Sequence, residues 1–218
     1  MSNRAADGAR RRRPSEEGFT LVEILVVITI IAALISIVAA VIPRAAAANR
    51  KVQCANNLKN IGGMLVERQT GKGLGTRGGS AMLLQVYTLG MIRKGDEKVF
   101  LCPGDMIIRG QLLDDPDFRN RYNSIDLNSI DPQLISYAGR NRKLYPIKPD
   151  AREKQAYAVD CQGDTGRDGH HQGGINCLYD DASVVFLDSE ALGLGPEDPI
   201  VVGNDSSHEL LRQFVQQE

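Results

Sequence analysis

The chain has 218 residues, 42% of them hydrophobic and 24% charged, enough for one ordinary domain together with a membrane anchor. A formal net charge of −1 leaves no broad basic face, so nucleic acid is not an expected partner. Four cysteines, an even number, permit two bridges if the body of the chain lies outside the cytoplasm.

The charges are unevenly placed. Residues 1–18 hold Arg4, Arg10, Arg11, Arg12 and Arg13 against Asp7, Glu16 and Glu17. Leu21 to Ile42 then runs almost wholly apolar, interrupted by Glu23, Thr29 and Ser36. From Ile24 the run is about 19 residues long, which at ~1.5 Å per residue spans ~28 Å, close to the ~30 Å hydrocarbon core. The arginine cluster ahead of it holds the N-terminus in the cytoplasm and sends the rest across. A secretory signal would place a small-residue cleavage site after the apolar run, where Ala45–Ala48 stand. A plain anchor would leave Glu23 unexplained, at roughly 2.5–3.5 kcal/mol for a buried carboxylate.

The stretch GFTLVEILVV, residues 18–27, resembles the type III signal of prepilins and pseudopilins. The resemblance implies cleavage by a prepilin peptidase after Gly18 and N-methylation of the new terminus, Phe19. It also implies that Glu23 neutralises the terminal amine of a neighbouring subunit. The physics agrees, because an ammonium and a carboxylate stranded in a low-dielectric medium offset each other's desolvation when they pair. Cleavage ahead of the apolar run leaves the helix in place as anchor and assembly stem.

Past the membrane, Pro43 should kink or loosen a turn. Ala45–Ala48 are strong helix formers, and Cys54, Leu58, Ile61 and Leu65 then recur on one helical face. One long helix is expected from Phe19 to about Leu65, followed by a glycine-rich connection from Gly71 to Gly79. Ser80 to Ile92 reads as a short helix weakened at Gly90. Glu97–Cys102 reads as an extended segment stopped by Pro103-Gly104, and Asp114 to Gln133 as a polar surface insertion. Leu134–Ala138 and Ala156–Asp160 read as strands. Ile175–Tyr179 and Ser183–Leu187 read as a hairpin, and Ile200–Val202 as a further short strand. Ser206 and Glu209 form a capping box for a last helix bearing Leu210, Leu211, Phe214 and Val215. The expected class is α+β: a type IV pilin-like long N-terminal helix packed on a small antiparallel sheet. The expected divisions are a leader over 1–18, a membrane and assembly helix over 19–42, its amphipathic continuation over 43–70, and a head over 71–218.

The segment HQGGINCLYDDASVVFLD, from His171, is similar to the tail motif of a pseudopilin-like group abundant in planctomycete-type bacteria. There a histidine precedes an Asp-Gly by nine residues, with an Asn-x-Leu-aromatic strand between. His171, Asn176, Leu178, Tyr179 and Asp181 match; Ala182 and Ser183 depart from the glycine and histidine expected at the turn. Cys54-x-x-Asn57-Leu58, Cys102-Pro103, Ser136-Tyr137-Ala138 and the run from Val201 to Ser206 fit the same group.

The four cysteines allow three connectivities, and their placement favours Cys54–Cys102, stapling head to stem, with Cys161–Cys177. Their spacing does not suggest zinc: no Cys-x-x-Cys occurs, and the His170-His171 pair is not matched to one. Asp160, Asp164 and Asp168 recur among glycines, with Asp181 able to fold back, so calcium is the candidate cofactor, set against a plain solvated loop. Some major pseudopilins hold calcium in a C-terminal loop. No nucleophile elbow accompanies the histidines, and no enzyme is expected. Together the resemblances imply a pseudopilin of a type II secretion-like system, with a true pilus or DNA-uptake pilin, or a tethered binding protein or hydrolase, as alternatives. The implied partners are copies of itself, minor pseudopilins, the prepilin peptidase, and an inner-membrane platform with its ATPase. The implied location is the bacterial inner membrane, single-pass, with the head in the periplasm.

Overall fold

A computed structural model describes residues 18–73, 75–104, 115–160, 171, 173–195 and 198–215. The chain divides into two compact units, one ending at Pro43 and one beginning at Arg44. Helix α1, Leu21–Gly71, contributes to both and remains helical at Pro43. It outruns the expected end at Leu65 by about a turn and a half. Within the first unit its apolar side chains, Leu21 to Ile42, are all solvent-exposed. A helix apolar on every side needs an apolar surrounding or apolar neighbours.

In the second unit the stripe anticipated from helical spacing is the buried one: Cys54, Leu58, Ile61 and Leu65 are fully inaccessible. Against it lies a five-stranded antiparallel sheet in the order β4-β3-β2-β1-β5. The strands are β1 (Ala138–Arg140), β2 (Ala156–Val159), β3 (Gly174–Tyr179), β4 (Val184–Asp188) and β5 (Phe214–Val215). Alternation along β3 sends Asn176 and Leu178 toward α1 and Ile175 and Cys177 to the opposite face. That opposite face is covered by Leu192, Ile200, Val202 and Leu211, so the central strands are buried on both sides.

Helix α2, Gly79–Thr88, packs across β1. The approach is so close that a Cβ on Gly139 of β1 would run into the carbonyl oxygen of Gly79, and only glycine fits there. Ser80 Oγ adds a hydrogen bond to the Tyr137 carbonyl at 2.6 Å.

Five expectations are corrected. Glu97–Phe100 is a 3-10 turn rather than an extended segment, because Glu97 turns inward to accept from Gly95 N and Tyr87 Oη at 2.8 and 3.0 Å. The supposed surface insertion contains helix α3, Pro116–Tyr122, capped by Asp115, which accepts from Asp117 N at 2.9 Å. Its Phe118 and Tyr122 join Tyr87 and Phe100 in a buried aromatic cluster with centroids 5.5–6.2 Å apart. Leu134–Ala138 is not a strand: Leu134 ends a 3-10 turn, and pairing begins at Ala138. The last helix does not form. Ser206 Oγ accepts from His208 N instead, and after a single 3-10 turn Phe214 is buried as β5 joins the edge of β1. Burying one large aromatic and pairing a sheet edge outweigh a three-turn helix of modest propensity. Ile200 and Val202 are buried, with only an isolated bridge at Val201.

The β3–β4 hairpin stands as expected. Its turn places Ala182 at φ +61°, the left-handed conformation that the tail motif's glycine would adopt without strain.

Candidate functional site

At the N-terminal end of α1, Gly18 and Phe19 are exposed, Phe19 at 83%. Thr20 and Glu23 form a reciprocal capping box. Thr20 N and Thr20 Oγ1 both donate to Glu23 Oε2, at 2.7 and 2.8 Å, and Glu23 N donates to Thr20 Oγ1 at 3.3 Å. This cap was not anticipated from the sequence, although its T-x-x-E spacing announces it. The carboxylate is therefore held against the helix start, where it satisfies the Thr20 N–H and complements the positive end of the helix dipole. Both bonds to the carboxylate end on Oε2. Glu23 Oε1 makes no hydrogen bond among the described residues.

A second cluster lies inside the head. Asp160 follows directly on β2, and strand alternation turns its side chain toward α1. Its Oδ2 accepts from Cys54 Sγ at 3.3 Å and from Asn176 Nδ2 at 2.6 Å, and pairs with His171 Nε2 at 3.0 Å. Its Oδ1 accepts from Asn176 N at 2.9 Å. Cys102 Sγ sits 3.3 Å from His171 Nε2. Cys102 is positioned by Asn57 Nδ2, which donates to the Leu101 carbonyl at 3.4 Å, and by Ser136 N, which donates to the Phe100 carbonyl at 2.9 Å. Tyr137 Oη lies 3.9 Å from Cys54 Sγ. Burial, and then the neighbouring thiols, push the Tyr137 phenol well up. For His171, burial acts against the charged ring, but hydrogen bonds to Asp160 and Cys102 and the Asp160 charge outweigh it and raise the imidazole to about 9.

Cys54 and Cys102, the pair favoured for a disulfide, are brought into this one cluster, the Cys54 thiol against the Asp160 carboxylate and the Cys102 thiol against the His171 imidazole. Cys177 has no disulfide partner among the described residues. It faces the other side of the sheet, where burial pushes it up to about 12. Its suggested partner Cys161 lies outside the described residues, as do His170, Asp164 and Asp168.

Of the four aspartates considered for calcium, the two that are described stand apart. Asp160 stands beside Asn176 at one end of β2, whereas the residue next to Asp181, Asp180, pairs with Gln155 beyond the other end. Five residues of strand separate those ends, about 16 Å. Asp181 instead organises the hairpin turn, accepting from Ser183 N at 2.9 Å and pairing with Lys154 Nζ at 2.5 Å. The Lys154 and Ser183 hydrogen bonds hold its carboxyl far below the usual range. Of the tail motif, His171 and Asn176 thus converge on Asp160 while Asp181 serves the turn.

The family model described as "Prokaryotic N-terminal methylation motif" matches residues 13–39, the stretch that spans Gly18, Phe19, the capping box and most of the exposed apolar helix. No curated protein matches the chain, and no solved structure does. Residues 13–39 thus carry a type IV pilin-like prepilin signal, and the long N-terminal helix and small antiparallel sheet make an α+β, pilin-like architecture.

Proposed function

We propose that the chain is a structural pseudopilin: cut between Gly18 and Phe19, methylated on Phe19, and polymerised through its apolar helix into the periplasmic filament of a type II secretion-like system. The observation that carries this reading is Glu23. It stands one turn into a helix whose apolar residues are exposed on all sides, with Oε2 spent on its own cap and Oε1 uncommitted. In a membrane such an acid is costly unless a cation meets it, and the amine created at Phe19 of an adjoining copy supplies that cation. Side-by-side packing of these helices buries the exposed apolar surface, which supports a mechanical role over an enzymatic one.

The cap offers a control that separates local structure from assembly. Gln is accepted at this position of a capping box, so Glu23→Gln retains the helix start but removes the charge. The expected result for Glu23→Gln, as for Glu23→Ala, is a processed, membrane-resident subunit that forms no filament. Wild-type filaments from Glu23→Gln would refute the pairing role. Mass spectrometry of the mature N-terminus tests processing independently, and methylated Phe19 is the expected first residue.

A further inference from the structure

Cys54, Cys102, Asp160 and His171 come from α1, the turn before Pro103, the end of β2 and the bridge that precedes β3. All four are buried, and their ligand atoms lie within 4.8 Å of one another. A tetrahedral zinc ion with bonds of ~2.0–2.3 Å sets its ligand atoms roughly 3.3–3.8 Å apart, since a tetrahedron's edge is about 1.6 times its centre-to-corner length. The measured edges here are 3.3 Å for Cys102 to His171, 3.3 Å for Cys54 to Asp160 and 3.0 Å for His171 to Asp160. These three edges are already close to the required length, and the other three lie within 4.8 Å.

We propose that these four residues form a structural zinc site, with two cysteines, one histidine and one aspartate as ligands, that clamps helix α1 to the sheet. The donor set, two sulfurs, one imidazole nitrogen and one carboxylate oxygen, suits zinc rather than calcium or magnesium. Four protein ligands leave no open position for a water, so the site is structural and not hydrolytic. Outer contacts that orient ligands are in place: Asn176 holds both oxygens of Asp160 through its backbone and side-chain nitrogens, and Tyr137 Oη stands beside Cys54 Sγ. Binding displaces the two thiol protons and the Nε2 proton of a charged His171 to solvent, with no change of oxidation state. Two thiolates and a carboxylate around a dication leave one net negative charge. Arg44 and Lys51, which share with His171 a groove of about 190 Å³, lie on the side from which the imidazole edge is reached.

The test uses the full mature chain purified in detergent without a histidine tag. The expected metal content is about one zinc per chain. It should fall at least tenfold in Cys54→Ser and His171→Ala and remain in Cys177→Ser, whose thiol faces the other core. Because a ligand variant could fail to fold, the wild-type chain is also stripped with a chelator and reloaded with cobalt. Thiolate charge-transfer bands and the visible spectrum of tetrahedral cobalt are expected. A native chain that holds no zinc and takes up no cobalt overturns the proposal, whether Cys54 and Cys102 are then found as a disulfide by the mass of two missing hydrogens or as titratable thiols. Undiminished zinc in a folded Cys54→Ser/Cys102→Ser chain overturns it as well.

Discussion

Two adjacent glycines inside α1, Gly62 and Gly63, have opposite surroundings and should respond oppositely to alanine. Both occupy helix interior, where alanine is favoured over glycine by roughly 0.8–1 kcal/mol. A Cβ at Gly63 would meet nothing within 4 Å. Gly63→Ala should therefore stabilise by close to that full amount. Gly62 faces the sheet, and its Cβ would stand 2.5 Å from Leu178 Cδ1 and 3.3 Å from Ala182 Cα. Leu178 is fully buried on β3 and has little room to yield, and the second neighbour is backbone. Overpacking of this kind costs about 1–3 kcal/mol, so after the propensity gain Gly62→Ala should be destabilised by about 1 kcal/mol. For a chain of this size each kcal/mol is roughly 2–4 °C in Tm. Chemical and thermal unfolding of the detergent-solubilised chain, followed by circular dichroism, reads both variants. Adding Leu178→Ala removes the clashing atom, and the Gly62→Ala penalty measured in that background should largely vanish. A Gly62→Ala variant as stable as Gly63→Ala would refute the close packing of α1 on β3.

Two further outcomes follow from the head. Glu97 is buried; burial opposes its charge, but the N–H groups of Gly95 and Glu97, the Tyr87 hydroxyl and the Arg119 charge outweigh it and leave its carboxyl below the ordinary value. A depressed folded-state pKa contributes stability that is complete above the unfolded value of ~4.3 and is lost as pH falls through the folded one. Glu97→Gln should thus flatten the acid limb of a stability-versus-pH curve below about pH 4.3, and an unchanged limb would contradict the assignment. Ala182 holds a left-handed conformation that costs an L-residue roughly 1–2 kcal/mol, partly offset by glycine's greater freedom when unfolded. Ala182→Gly should raise stability by about 0.5–1 kcal/mol, visible as a higher denaturation midpoint at unchanged slope, and a loss of stability would exclude the strained turn.

The N-terminal half of this protein was legible because its signals are local. Arginines before an apolar run, Gly18-Phe19 at its border and Glu23 one turn in can be read without knowing what packs where. The inner stripe Cys54, Leu58, Ile61 and Leu65 is similar, since helical period alone selects it. The β3–β4 hairpin also announces itself, through alternation on both sides of a polar turn. What the sequence left undecided depends on competition between distant segments. The polar stretch around Pro116–Tyr122 conceals two aromatics that find Tyr87 and Phe100 only once α2 and α3 are packed. The amphipathic C-terminus gives up a helix because β1 has a free edge and a site for Phe214.

The buried cluster is the clearest case. Cys54, Cys102, Asp160 and His171 are separated by 48, 58 and 11 residues, far from any zinc-binding spacing, so the sequence alone does not suggest zinc. A helix face, a turn, a strand end and a bridge converge because antiparallel pairing of β2 with β3 puts Asp160 beside Asn176, and packing of α1 over that pair delivers Cys54. The sequence by itself determined the prepilin signal and a helix long and apolar enough to cross a membrane, since these depend on contiguous hydrophobicity and on charges next to it. Only tertiary structure decided which polar side chains share the interior, because their proximity is set by strand register and helix docking over more than a hundred residues.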